Sequence, residues 1–181
     1  ALPILRFADS AKRAAGFTLI ELMLYVSLVS ILLVGVTSFF TVVKEINIKN
    51  RSISAVEEQG AFVSDRINAY LRAAGGVCAP SGAGSTGGTL DLDSNCLSHT
   101  ASEVEVALDG SGRVTVSIGG GTALRLTDDR VYVSSLSFSN TADTGAPANI
   151  QYSITMQARS YGTTSEYYYQ KTFVGGGTIR Q

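Results

Sequence analysis

The chain has 181 residues, with 14 Lys and Arg against 15 Asp and Glu, a single histidine and two cysteines, for a net charge of −1. That length allows an anchor and one compact domain. The near balance of charge removes the basic footprint of a nucleic-acid binder, and no histidine-centred site, nucleophile elbow or phosphate loop in proper context points to an enzyme.

Residues 1–16 hold Arg6, Lys12, Arg13 and Asp9, so the remainder of the chain carries −3. The apolar run Phe17–Val43 follows at once. It has no proline, one glycine (Gly35) and one charge, Glu21. At 27 residues it exceeds the ~20 that cross a bilayer. A secretory signal has a shorter apolar core followed by a small-residue cleavage site, and neither feature is present. The hydroxyls of Thr18, Ser27, Ser30, Thr37, Ser38 and Thr41 are expected to bond back to helix carbonyls. Basic residues are balanced across the run: three precede it, and Lys44, Lys49 and Arg51 follow. Loop charge therefore does not set its orientation. A carboxylate within a membrane helix costs roughly 2.5–3.5 kcal/mol, so Glu21 reads as a group awaiting a partner, or as one that snorkels to the headgroups.

Gly16-Phe17-Thr18-Leu19-Ile20-Glu21-Leu22, preceded by Lys12 and Arg13, resembles the processing site of type IV prepilins and pseudopilins. The resemblance implies a leader peptide, 1–16, with a basic end at Lys12 and Arg13. It implies cleavage after Gly16 by a membrane prepilin peptidase, which also methylates the new N-terminal Phe17. Glu21 becomes the assembly carboxylate, which neutralises the terminal amine of a neighbouring subunit. Physical chemistry is consistent with each role. Glycine lets the scissile segment lie extended, the amine and Glu21 are one helical turn apart, and in low dielectric such a pair is strongly favoured over either charge alone. The implied partners are other pilin subunits, the peptidase, an inner-membrane assembly platform and the lipid bilayer before assembly, with no nucleic acid required. The implied location is the inner membrane for the precursor, and then a surface filament or a periplasmic pseudopilus.

The helix is expected to continue through an amphipathic half, 44–74. Ile53, Val56, Gly60, Val63, Ile67, Tyr70 or Leu71, and Ala74 form one face. Glu57, Glu58, Asp65, Arg66 and Arg72 form the other, and Gly75-Gly76 ends the helix. Residues 17–74 as one helix would span about 87 Å.

Residues 77–100 read as a Gly-, Ser- and Asp-rich loop. In an exported chain, Cys78 and Cys96 are expected to bridge across it, constraining the unfolded chain by about 3 kcal/mol. Two cysteines and a distant His99 make a poor metal set. Gly82-Ala-Gly84-Ser-Thr-Gly87 fits a nucleotide fingerprint in the wrong context, because it follows a helix and precedes none. Asp91-Leu-Asp93-Ser-Asn95 opens like a calcium loop but continues with Cys96 and Ser102 where glycine and glutamate belong. A solvated acidic turn is expected there, and no cofactor.

The exported domain, 75–181, reads as antiparallel sheet. Residues 103–108 and 113–118 alternate around Asp109-Gly-Ser-Gly112, a hairpin signal. A short strand is expected within 122–126, and further strands over 131–139, 150–159 and 166–174. Tyr167-Tyr-Tyr169 suits a strand with core on one face and cross-strand packing or an adhesive patch on the other. The tail 175–181 reads as loose. The fold class is therefore α+β, a long N-terminal helix packed on a C-terminal antiparallel sheet. The order of elements resembles minor pilins and J-type minor pseudopilins. Three functions fit: a minor pilin of a type IV filament, a pseudopilin of a type II secretion or DNA-uptake machine, and an adhesive tip subunit binding glycan, protein or DNA.

Overall fold

A computed structural model describes residues 17–96, 103–159 and 168–179. Lys12, Arg13, Gly16, His99, Ser102, Tyr161 and Tyr167 lie outside the described residues. The chain divides into two units, 1–45 and 46–181.

One helix, α1, runs from Leu19 to Ala73. In the first unit its side chains are almost all exposed, and an 18-residue stretch is long and apolar enough to cross a membrane. Four hydroxyls of the run, on Ser27, Ser30, Thr37 and Thr41, bond back to helix carbonyls. Ser27 Oγ donates to Leu24 O at 2.8 Å, Ser30 Oγ to Val26 O at 2.7 Å, and Thr37 Oγ1 to Leu33 O at 2.7 Å. Such back-bonding lowers the cost of these hydroxyls in hydrocarbon.

In the second unit the helix buries Ala55, Val56, Gly60, Val63, Ile67 and Leu71, the stripe expected from the three-four spacing. Among the described residues, eight strands complete the core: β1 (Thr86–Gly87), β2 (Leu90–Leu92), β3 (Val104–Leu108), β4 (Val114–Ile118), β5 (Leu124–Arg125), β6 (Val131–Asn140), β7 (Asn149–Ala158) and β8 (Gln170–Thr178). The α+β class holds. The strands form two four-stranded antiparallel sheets, ordered β2-β3-β4-β5 and β1-β6-β7-β8. The segment 86–92, read from sequence as loop, supplies an edge strand to each sheet. β1 pairs with β6 and β2 with β3. Its Leu90 and Leu92 are buried, which is the apolar alternation that a Gly- and Asp-rich background obscured.

The hairpin forms as expected, with Leu108 opposite Val114. Its turn is closed by Asp109, whose Oδ1 accepts from the Ser111 and Arg113 amides at 2.8 Å each. The hydrogen bond from the Arg113 amide, then that from Ser111, holds the Asp109 carboxyl below its ordinary range. Gly112 has φ +73°, and the Tyr132 ring fills the place a Cβ would take, so both conformation and space demand glycine.

The C-terminal strand departs most from expectation. It starts at Gln170, after Tyr168 and Tyr169, and it continues through Gly175-Gly-Gly177 to Thr178. The expected loose tail is therefore strand over Gly175–Thr178, and Ile179 is 1% exposed. Three glycines read as loose chain, yet here they admit close neighbours. A Cβ at Gly175 would meet the Tyr152 ring, and one at Gly176 would meet Ile150 O at 2.6 Å. The Tyr152 hydroxyl donates to Ser64 O on α1 at 3.3 Å, tying the second sheet to the helix.

Candidate processing and assembly site

The N-terminal end of α1 gathers Phe17, Thr18 and Glu21. Thr18 is the helix cap. Its Oγ1 accepts from the Glu21 amide at 3.3 Å, and its carbonyl accepts from the Leu22 amide at 3.2 Å. The Thr18-Leu19-Ile20-Glu21 spacing is that of a capping box. The sequence carried this signal and the reading of Glu21 as a waiting charge passed over it. A carboxylate in the first turn also meets the positive end of the helix dipole. Glu21 thus has a local role beside any intermolecular one.

Phe17 precedes the cap and is 73% exposed. Its ring lies edge-on to Tyr25, with centroids 6.3 Å apart. Its backbone lies outside the helix, which starts at Leu19. Lys12, Arg13 and Gly16 belong to the segment outside the described residues.

In the second unit, Cys78 and Cys96 form a disulfide with Cα atoms 5.2 Å apart. The bridge sits beside further ties. The Cys78 amide donates to Asp91 O at 2.8 Å, and Ala79 forms an isolated bridge with Asp91. The Gly82–Gly87 motif makes a turn that feeds β1, with the Ser85 amide donating to Gly82 O at 2.9 Å. Asp91 lies within β2 rather than in an acidic turn, while Asp93 Oδ1 accepts from the Asn95 amide at 3.3 Å. Among the described residues, no group of three His, Cys, Asp or Glu side chains is placed to hold a metal ion.

One charged cluster was missed from sequence, because Glu57 was assigned to the outward face of α1. It turns toward β8. Its carboxylate accepts from Lys171 Nζ at 2.6 and 2.8 Å and from the Tyr169 hydroxyl at 2.7 Å. Nothing in the sequence spacing marked a partner 114 residues away. The Lys171 hydrogen bond, then that of Tyr169, holds the Glu57 carboxyl below its ordinary 4.5. Glu57 in turn raises Lys171 above 10.5. The signs set a window. The Glu57 contribution is present above 4.5 and is lost as pH falls through its lowered folded value, and the Lys171 contribution is present below 10.5 and is lost as pH rises through its raised folded value. Thermal melting of Glu57→Gln across pH should therefore show a smaller loss of stability on the acid side than the parent. Parallel curves for the two proteins would remove the cluster from the pH response.

Residues 11–37 match the family model described as the prokaryotic N-terminal methylation motif. No curated protein and no solved structure matches the chain.

Proposed function

We propose that this chain, a type IV pilin-like or pseudopilin protein by its N-terminal methylation motif, is a minor pilin, a structural subunit of a type IV pilus or pilus-like filament. The single observation that carries the reading is the methylation motif laid over an apolar helix with Glu21 in its first turn. The precursor is held in the inner membrane by residues 17–43. A prepilin peptidase cuts after Gly16 and methylates Phe17. The mature amine then sits one turn from Glu21. During assembly Glu21 of the incoming subunit pairs with the amine of a neighbour, and this sets the axial register between them. A structural role needs no catalytic group and no cofactor. The partners are other pilin subunits, the peptidase and an assembly platform.

Mass spectrometry of the native N-terminus tests this directly, with methyl-Phe17 as the expected first residue. A mature protein that retains residues 1–16 would overturn it. Cleavage geometry makes a second expectation. Gly16→Ala should still be processed, whereas Gly16→Leu should keep its leader on an immunoblot, because a bulky side chain obstructs an extended segment in a protease groove. Equal processing of both variants would move the cleavage point elsewhere.

A further inference from the structure

The second unit holds a cavity of about 770 Å³ between α1, the start of β6 and the end of β7. Three arginines line it. Arg51 comes from the helix, while Arg130 and Arg159 flank the paired strand ends Val131 and Ala158. The Arg159 amide donates to Arg130 O at 2.8 Å, so these two side chains spring from adjoining backbone. Arg159 is held further by its Nη2, which donates to Ser111 O at 3.2 Å, and by the Tyr132 ring, whose centroid is 6.0 Å from its Cζ. Arg130 pairs with Asp128. Arg51 and Arg159 have no carboxylate partner among the described residues. Glu58 is the one acidic side chain in the lining, which therefore carries +2, and its surroundings stay positive when Asp128 is counted. Residues 17–181 as a whole carry −3, so the positive charge here is local.

The lining also selects the anion. Arginine presents a planar fork of donors that fits carboxylate and phosphate oxygens. Three forks from two sides offer more donors than one carboxylate accepts, and they suit a phosphate ester. The volume lies within the ~300–1,000 Å³ range of small-molecule sites, which leaves room beyond a bare phosphate. Ile48, Ala55 and Ala158 give that room an apolar part. The ligand is thus a phosphate carried on a carbon body. Nucleic acid is disfavoured, because its affinity comes from many phosphates neutralised along a surface, and here the cations converge on one cavity. The chain brings such a ligand close. Asn47 and Arg51 follow Val43, the end of the apolar run, by four and eight residues. Even fully extended, those stretches span at most about 14 and 29 Å. Headgroups of a bilayer that holds residues 17–43 lie within that reach.

We infer that this cavity binds the phosphodiester headgroup of an anionic phospholipid. The full chain in non-ionic detergent tests it, titrated with short-chain phosphatidylglycerol, phosphatidylcholine of equal chain length, and inorganic phosphate. Bound lipid is counted by native mass spectrometry. Phosphatidylglycerol should bind about tenfold more tightly than either of the other probes. Arg51→Gln and Arg159→Gln should each weaken it about tenfold, through loss of charge-assisted hydrogen bonds. Arg72→Gln removes the same charge from α1 outside the cavity and should leave binding unchanged. Melting temperatures are recorded for each variant, and Arg51 makes no ion pair whose loss would unfold the chain. The inference is overturned if phosphatidylcholine or inorganic phosphate binds as tightly as phosphatidylglycerol, or if Arg51→Gln binds like the parent. It is equally overturned if Arg72→Gln weakens binding as much as Arg51→Gln, or if a DNA duplex displaces the lipid and so assigns the arginines to nucleic acid. None of these outcomes depends on cleavage after Gly16, so failure here leaves the filament reading intact.

Discussion

Glu21→Ala should leave the precursor inserted in the membrane and remove it from sheared filaments. Insertion becomes easier, because a carboxylate in the bilayer costs roughly 2.5–3.5 kcal/mol and its loss relieves that. Assembly is expected to fail because the neighbour's ammonium is left buried without its counter-charge, a loss of about 3–5 kcal/mol for a broken buried pair. Incorporation, read by immunoblot of the sheared fraction against the membrane fraction, should fall more than about tenfold. The capping geometry at Thr18 adds a control. Glu21→Gln keeps the shape and hydrogen-bonding capacity of a capping-box residue and discards the charge. If charge pairing drives assembly, the glutamine variant fails with the alanine variant. If it assembles like the parent, the helix cap alone explains why a glutamate stands there.

Gly60→Leu should be the most destabilising single change on the helix. Gly60 is buried on α1, and a Cβ there would fall inside the Phe173 ring of β8. Phe173 cannot step aside freely, since it packs against the buried core and its ring lies under the Lys171 ammonium at 5.2 Å. Overpacking of this kind costs about 1–3 kcal/mol or more. Gly35→Leu is the matched control, because nothing lies within 4 Å of the Cβ position there. Chemical denaturation should show a lowered midpoint for Gly60→Leu, none for Gly35→Leu, and partial recovery when Phe173→Ala is added to Gly60→Leu. Equal midpoints for the two leucine variants would mean that α1 does not rest on β8 through this contact.

The sequence made some elements legible because their signal is local. A 27-residue apolar run, a three-four stripe and a period-two hairpin each announce themselves within one window. The Cys78–Cys96 bridge was legible in the same way, through residue type and the loop between them. What could not be read was set by distant neighbours. The glycines of β8 look like chain breaks until Tyr152 and Leu71 are placed against them. Leu90 and Leu92 alternate over only three residues, too few to outweigh their Gly and Asp surroundings. Glu57 follows the outward face by helical spacing, and only the return of β8 supplies Tyr169 and Lys171. The first strand of each sheet, β1 and β2, was lost to the same shortfall.

Those two short strands lie inside the span that Cys78 and Cys96 close. A stretch of chain that passes from one sheet to the other through consecutive strands, β1 to β2, is thereby enclosed by a covalent clasp. Thiols stay reduced in the cytosol and oxidise outside it. On the proposed reading, in which this part of the chain is exported, the loop that carries β1 and β2 is closed only after export, and the newly made chain differs from the finished subunit by one bond.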